Sequence, residues 1–150
     1  MKVKVKLTND KARVPFKTYK RDFCYDVVAT SVEELHPNVY KYGIGLAFEP
    51  VVDLETMGDF IIDIDLRPRS SVWKTGMVLS SSTGTIDEIF RGEASAVFYH
   101  VITDLPIYEV GDKIGQIKIG ITMSMEFEVV DELSKTERGK NAYGSTGRKG

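Results

Sequence analysis

The chain has 150 residues, 42% of them hydrophobic and 28% charged, with a formal net charge of −2, one cysteine and two histidines. That is the composition of one soluble globular domain large enough to bury a core, and the near-neutral charge argues against a general nucleic-acid binder. Lone Cys24 excludes an internal disulfide and fits a reducing cytoplasm, Cys24 with His36 and His100 cannot complete a standard zinc site, and the longest apolar runs fall short of a membrane span.

Strands dominate the pattern. Val3, Val5 and Leu7 alternate with lysines, the period of a half-buried strand and not the apolar run of a signal peptide. Ser31-Val32-Glu33-Glu34 has the spacing of a helix capping box, which Pro37 cuts off within two turns. Ile44, Leu46 and Phe48 resume the alternation, and Phe60, Ile62, Ile64 and Leu66 repeat it with Asp63 and Asp65 facing away. Ser70 to Thr75 predicts one short helix ended by Gly76. Ala94 to Ile102 is a continuous apolar and aromatic run, expected to be a strand buried on both faces. Ile117, Ile119 and Ile121 predict another strand, and Met123, Met125, Phe127 and Val129 a further one. Many short strands between Gly, Pro and Asp turns indicate an all-β barrel, sandwich or jelly roll.

Charge divides the chain at its end. Ser134 to Gly150 holds five basic residues and one acid, a net +4, which leaves −6 on the rest. The division is read as a folded domain over 1–133 and a flexible cationic arm over 134–150, which orders on an anion or a neighbour.

Five short pieces carry chemistry. In Cys24-Tyr25-Asp26-Val27-Val28-Ala29, an acid lies within an apolar stretch, which is costly unless it is paired or serves an ion; a hydrogen-bonded turn is the plain alternative. In Arg67-Pro68-Arg69-Ser70-Ser71, a guanidinium and two hydroxyls stand at a helix start, either an anion site or a simple cap beside a surface arginine. Gly84 to Glu93 is bounded by glycines and reads as a hairpin, with Asp87 a candidate base and Phe90 a candidate stacking ring, or as an ordinary turn. Gly111-Asp112 leads into a strand carrying Gln116, a donor for a phosphate oxygen or a common strand-edge glutamine. Gly139 to Thr146 has phosphate-loop spacing, but Ser145 stands where the lysine belongs, so it is not a standard triphosphatase loop.

In this order and with these gaps, the five pieces closely resemble the five motifs of the homotrimeric deoxyuridine triphosphatases (dUTPases), from about Asp22 to Gly147. The resemblance implies a distorted β jelly roll and a trimer with three active sites at subunit boundaries. One subunit would supply Asp26, Arg69–Ser71 and Gln116, a second the Thr85–Phe90 segment, and the third its Arg138–Gly147 arm. The implied reaction is Mg²⁺-dependent hydrolysis of dUTP to dUMP and pyrophosphate, which limits uracil in DNA and supplies dUMP for dTMP synthesis. By the same resemblance Asp87 holds and polarises the attacking water, and Asp26 touches the water shell of the magnesium. Arg69, Ser70, Ser71, Gln116, Arg138, Ser145 and Thr146 hold phosphates. A hairpin from Ser81 to Phe90, including Thr85 and Ile86, pairs with uracil, Phe90 lies under the deoxyribose and Tyr143 stacks on the base. Departures from the family pattern are Phe90 for Tyr, Ile89 for a frequent acid, Ser81 for an asparagine, Asn141 and Ala142 for glycines, Tyr143 for Phe or His, and Cys24 for a small residue. Two alternatives use the same fold. A dCTP deaminase needs a catalytic glutamate beside the base, for which Glu88 and Glu93 match poorly, and a non-catalytic nucleotide sensor has no need of Asp87, Arg138 and Gln116 together.

Overall fold

The alternating segments become strands. The computed structural model describes residues 2–51 and 60–142. In chain order these contain β1 (Lys2–Leu7), β2 (Tyr25–Val28), β3 (Ser31–His36), β4 (Val39–Gly43), β5 (Leu46–Val51), β6 (Phe60–Arg67), a 3-10 turn (Val72–Thr75), β7 (Met77–Leu79), β8 (Gly84–Ile86), β9 (Ser95–His100) and β10 (Lys113–Met123). One four-stranded sheet runs β2-β10-β6-β8, a second runs β3-β4-β9-β7, and β1 pairs with β5. Every pairing is antiparallel. The chain is therefore all-β, as its periodicity and its jelly-roll resemblance imply.

One core joins both four-stranded sheets. Ile64 and Leu66 of β6 and Ile114 and Ile117 of β10 pack with Tyr42 of β4, Phe98 of β9 and Leu46 of β5. Tyr42, Phe98 and Tyr108 meet edge to face, with ring centroids 5.7–6.1 Å apart, a geometry that adds to the burial of their area. The Tyr42 hydroxyl donates to Tyr108 O at 3.0 Å. Burial, with lesser contributions from its neighbours, pushes that phenol up to about 12.

Four expectations are corrected. Ser31–Glu34 is not helical but opens β3, because each residue there gains a ladder partner on β4; a helix stopped at Pro37 would be too short to stand alone. Asn38, with φ of 63°, turns the chain from β3 into β4. The Ala94–Ile102 run is buried on one face only: Ala96, Phe98 and His100 point inward while Ser95 and Tyr99 are exposed, since none of the described residues covers the outer face of that sheet there. Met123–Val129 is not a second strand. β10 runs unbroken to Met123, and residues 124–130 find no ladder among the described residues. The Ser81–Phe90 segment is not a two-stranded hairpin either, because it holds one strand, β8, which pairs with β6 and not within the segment. The expected short helix is a single 3-10 turn, ended by Gly76 in the left-handed region at φ 61°.

Candidate functional site

Three of the five sequence pieces converge on one carboxylate. Strand β2 carries Asp26 opposite Gln116 of β10, and Gln116 in turn lies opposite Arg67 of β6. Directly opposed residues share a face of the sheet, so Gln116 Nε2 donates to Asp26 Oδ1 at 3.0 Å. Beyond β6 the chain turns at Pro68 and brings Arg69 Nε to 3.2 Å from the same oxygen. Lys113 Nζ donates to the other oxygen, Oδ2, at 2.9 Å. Asp26 itself is 4% exposed. Burial alone would raise its carboxyl, but the bonds from Lys113 and Gln116 and the charges of Arg69 and Lys113 outweigh it and hold the group below the ordinary carboxylate range.

Gln116 and Arg69 were legible in the sequence as site candidates; Lys113 was not. Lys113 and Gln116 are three positions apart, and in a regular strand an odd spacing sends two side chains to opposite faces. A bulge between Lys113 and Gly115 supplies the missing half-period and turns both toward Asp26. Gly115 is needed at that place, since a Cβ on it would stand 3.0 Å from Arg67 O on the neighbouring strand. No sequence spacing announces such a bulge.

Ser70 and Ser71 follow Arg69 into the 3-10 turn, which Val72 N closes onto Arg69 O at 3.0 Å. The Ser71 hydroxyl makes no cap bond, so the piece is not the simple N-cap of the plain alternative. Arginine and two hydroxyls thus stand at the rim of a cluster with two cations to one carboxylate, an arrangement suited to anions.

The second group of residues lies on another stretch of the same sheet. Thr85 of β8 donates to Asp65 Oδ1 at 3.1 Å, and Asp65 also accepts from Arg67 at 2.9 Å. Ile86, half-buried, packs against the core. Just past β8, Asp87 opens a turn that Phe90 N closes onto Asp87 O at 3.0 Å. Two neighbours pin this turn: Glu88 accepts from Ile62 N at 2.9 Å, and Arg91 Nη1 donates to Phe90 O at 3.1 Å and to Glu88 O. The Phe90 ring folds back over Gly92, where a Cβ would sit 2.6 Å from its tip. Asp87, Phe90 and Ser81 are all exposed. Among the described residues no side-chain hydrogen bond or ion pair links this group to Asp26. Arg138 is exposed and donates to Asn141 O at 3.1 Å within the arm. Tyr143, Ser145 and Thr146 lie outside the described residues.

The donor set bears on a metal. Among the described residues no three His, Cys, Asp or Glu side chains cluster as a cage would require. Asp26 accepts one hydrogen bond on each oxygen, from Gln116 on Oδ1 and from Lys113 on Oδ2, so a carboxylate lone pair on each remains. This fits an Mg²⁺ ion carried by phosphates and waters with one carboxylate in its outer shell.

A dUTPase family model matches residues 10–147. The deoxyuridine 5'-triphosphate nucleotidohydrolase of Clostridium novyi is 34% identical over 98% of this chain and 99% of its own length. That of Nautilia profundicola is 31% identical over 99% and 100%. Among solved structures, a point mutant of the Staphylococcus bacteriophage 80alpha dUTPase with dUpNHpp superimposes with a TM-score of 0.77 over 98% of this chain and 99% of that one, at 24% identity. A mutant dUTPase of Staphylococcus aureus phage phi11, for which coordination of a structural Mg(II) ion is described, gives 0.69 over 90% and 100%, at 20% identity. The structural likenesses share the fold, and the sequence relatives carry the match from end to end: the chain belongs to the dUTPase family.

Proposed function

We propose that the chain hydrolyses dUTP to dUMP and pyrophosphate. The observation that supports this best is the meeting of Arg69 and Gln116 on buried Asp26, which Gln116 reaches from 90 positions away. A triphosphate needs such a cationic, donor-rich cradle more than it needs protein carboxylates. Asp26 would hold a water of the magnesium shell, and the ion when bound would offset the charge of the triphosphate. Arg69, Ser70, Ser71 and Gln116, with Arg138, Ser145 and Thr146 of the arm, would grip the phosphates.

Asp87 would orient a water and take its proton as the oxygen attacks the α-phosphorus. The bond to the α,β-bridging oxygen breaks, and pyrophosphate leaves on that oxygen. Exposure of Asp87 does not oppose this role, because the site is shared. The backbone from Ser81 through Thr85 and Ile86 would read uracil and leave no space for a 5-methyl group. Phe90 would lie beneath the sugar and exclude a 2′-hydroxyl, and Tyr143 would cover the base. A site built to satisfy one base edge rejects the wrong hydrogen-bond pattern strongly.

The shared site calls for a homotrimer. In its favour, Met125, Phe127 and Val129 alternate with Glu126 and Glu128 on a segment with no strand partner among the described residues, and Phe127 is 84% exposed. Strand β1, which among the described residues pairs on one side only, presents Lys2, Lys4 and Lys6 around Val3 and Val5. Such complementary patterns suit strand addition between copies. A sedimentation mass near three times 16.8 kDa supports the assembly, and a monomer opposes it.

The deciding assay is pyrophosphate release from dUTP, dTTP, dCTP and UTP with magnesium, for wild type and Asp87→Asn. Turnover of dUTP alone, nearly abolished in the variant with binding retained, is expected. Ammonia release from dCTP would favour the deaminase, and binding without turnover the sensor.

A further inference from the structure

The cations around Asp26 are not equivalent. Arg69 Nε lies 3.2 Å from Oδ1, yet it is buried without a hydrogen-bond partner. Its contact with the carboxylate is one of charge, not of directed bonding. Lys113 instead donates to Oδ2 at 2.9 Å and reaches Thr18 Oγ1 at 3.5 Å, and its ammonium lies 5.0 Å from the centre of the Phe16 ring. Phe16 is itself tied to Asp26, each backbone N–H donating to the other's carbonyl at 3.2 and 2.7 Å. Lys113 is thus bonded to one carboxylate oxygen and held by Thr18 and Phe16 as well, while Arg69 brings a donor without a partner to the other oxygen.

A buried carboxylate with one cation cannot release it without being stranded. With two, it can. We infer that Lys113 is a positioning residue: it serves as the permanent counter-ion of Asp26, so that Arg69 can turn its guanidinium to a phosphate while Asp26 stays paired. The bulge before Gly115 exists in the fold to bring it there. This inference rests on the nucleotide site proposed above. Without Lys113, Asp26 draws Arg69 into a closed pair, and the phosphate loses a ligand to an internal competitor.

The test is calorimetric binding of the non-hydrolysable α,β-imido-dUTP in EDTA, where no contribution of Asp26 through magnesium enters. Lys113→Met is expected to weaken binding about tenfold or more, and Lys113→Arg to stay within threefold of wild type. In the Asp26→Asn background, where no buried charge needs compensation, Lys113→Met is expected to change affinity less than twofold. That pair also keeps the test open if Lys113→Met alone fails to fold. In turnover with magnesium, Lys113→Met should raise KM about tenfold and change kcat less than threefold. A full loss of affinity on Lys113→Met in the Asp26→Asn background would make Lys113 a direct phosphate ligand and overturn the inference. So would unchanged affinity in Lys113→Met with wild type binding normally. Wild type that does not bind the analogue would instead overturn the nucleotide site itself.

Discussion

The Asp26 cluster and the Asp87–Phe90 turn belong to one sheet but differ in how finished they are. Around Asp26, two strands and a loop of a single chain close an ionic network on a buried carboxylate, which accepts from Lys113 and Gln116 and faces Arg69. Around Asp87, the turn is held from behind by Glu88 and Arg91, yet its own side chains face solvent. The first is prebuilt and contributes to stability; the second is aimed but incomplete, as the shared site proposed above would require. Residues 124–142, exposed throughout, extend the same contrast.

The contrast is broken most directly at Asp87. Asp87→Asn is expected to lower kcat about a thousandfold, the scale of a positioned general base, with thermal stability unchanged; matching losses of stability would show the turn to be structural. Removing residues 134–150 is expected to lower turnover about a hundredfold, in line with loss of substrate closure, without altering the sedimentation mass. Full activity in the truncated chain would remove the arm from the site. Asp26→Ala leaves the two cations unopposed and is expected to cost about 3 kcal/mol in urea unfolding, the opposite balance from Asp87.

The smallest effect sharpens the comparison from within the core. Tyr42 is raised to about 12 from 10. A neutral phenol favoured by folding contributes stability that is complete below pH 10 and is lost as pH rises through 12. Tyr42→Phe is expected to cost about 1 kcal/mol at neutral pH, one buried hydrogen bond, and to flatten the alkaline decline in unfolding free energy between those values. An unchanged decline would assign it to other groups.

Much of this was legible from residue patterns, where local period and tertiary burial agree. The alternation in Phe60–Leu66 is β6, and Gly111-Asp112, with Gly111 at φ 99°, does turn the chain into β10. The motif order alone implies that Asp26, Arg69 and Gln116 lie together, as their contacts show. Illegible parts depend on what lies across from a segment. Ser31–Glu34 carries a local helix signal that ladder partners on β4 override. Met123–Val129 carries a strand signal, but beyond Met123 it finds no ladder partner among the described residues. Lys113 lay in plain view beside Gln116, but its direction is set by a backbone irregularity that side-chain identity does not encode.

That irregularity ties chemistry to architecture. Ile114, fully buried in the core, lies between Lys113 and Gly115 on the bulged stretch. Deleting one residue there would restore a regular pleat and reverse the faces of one flank, sending either the ammonium into hydrocarbon or an isoleucine toward the carboxylate. Substitutions can tune this corner of the molecule, but its length is locked by the register on both flanks of the bulge.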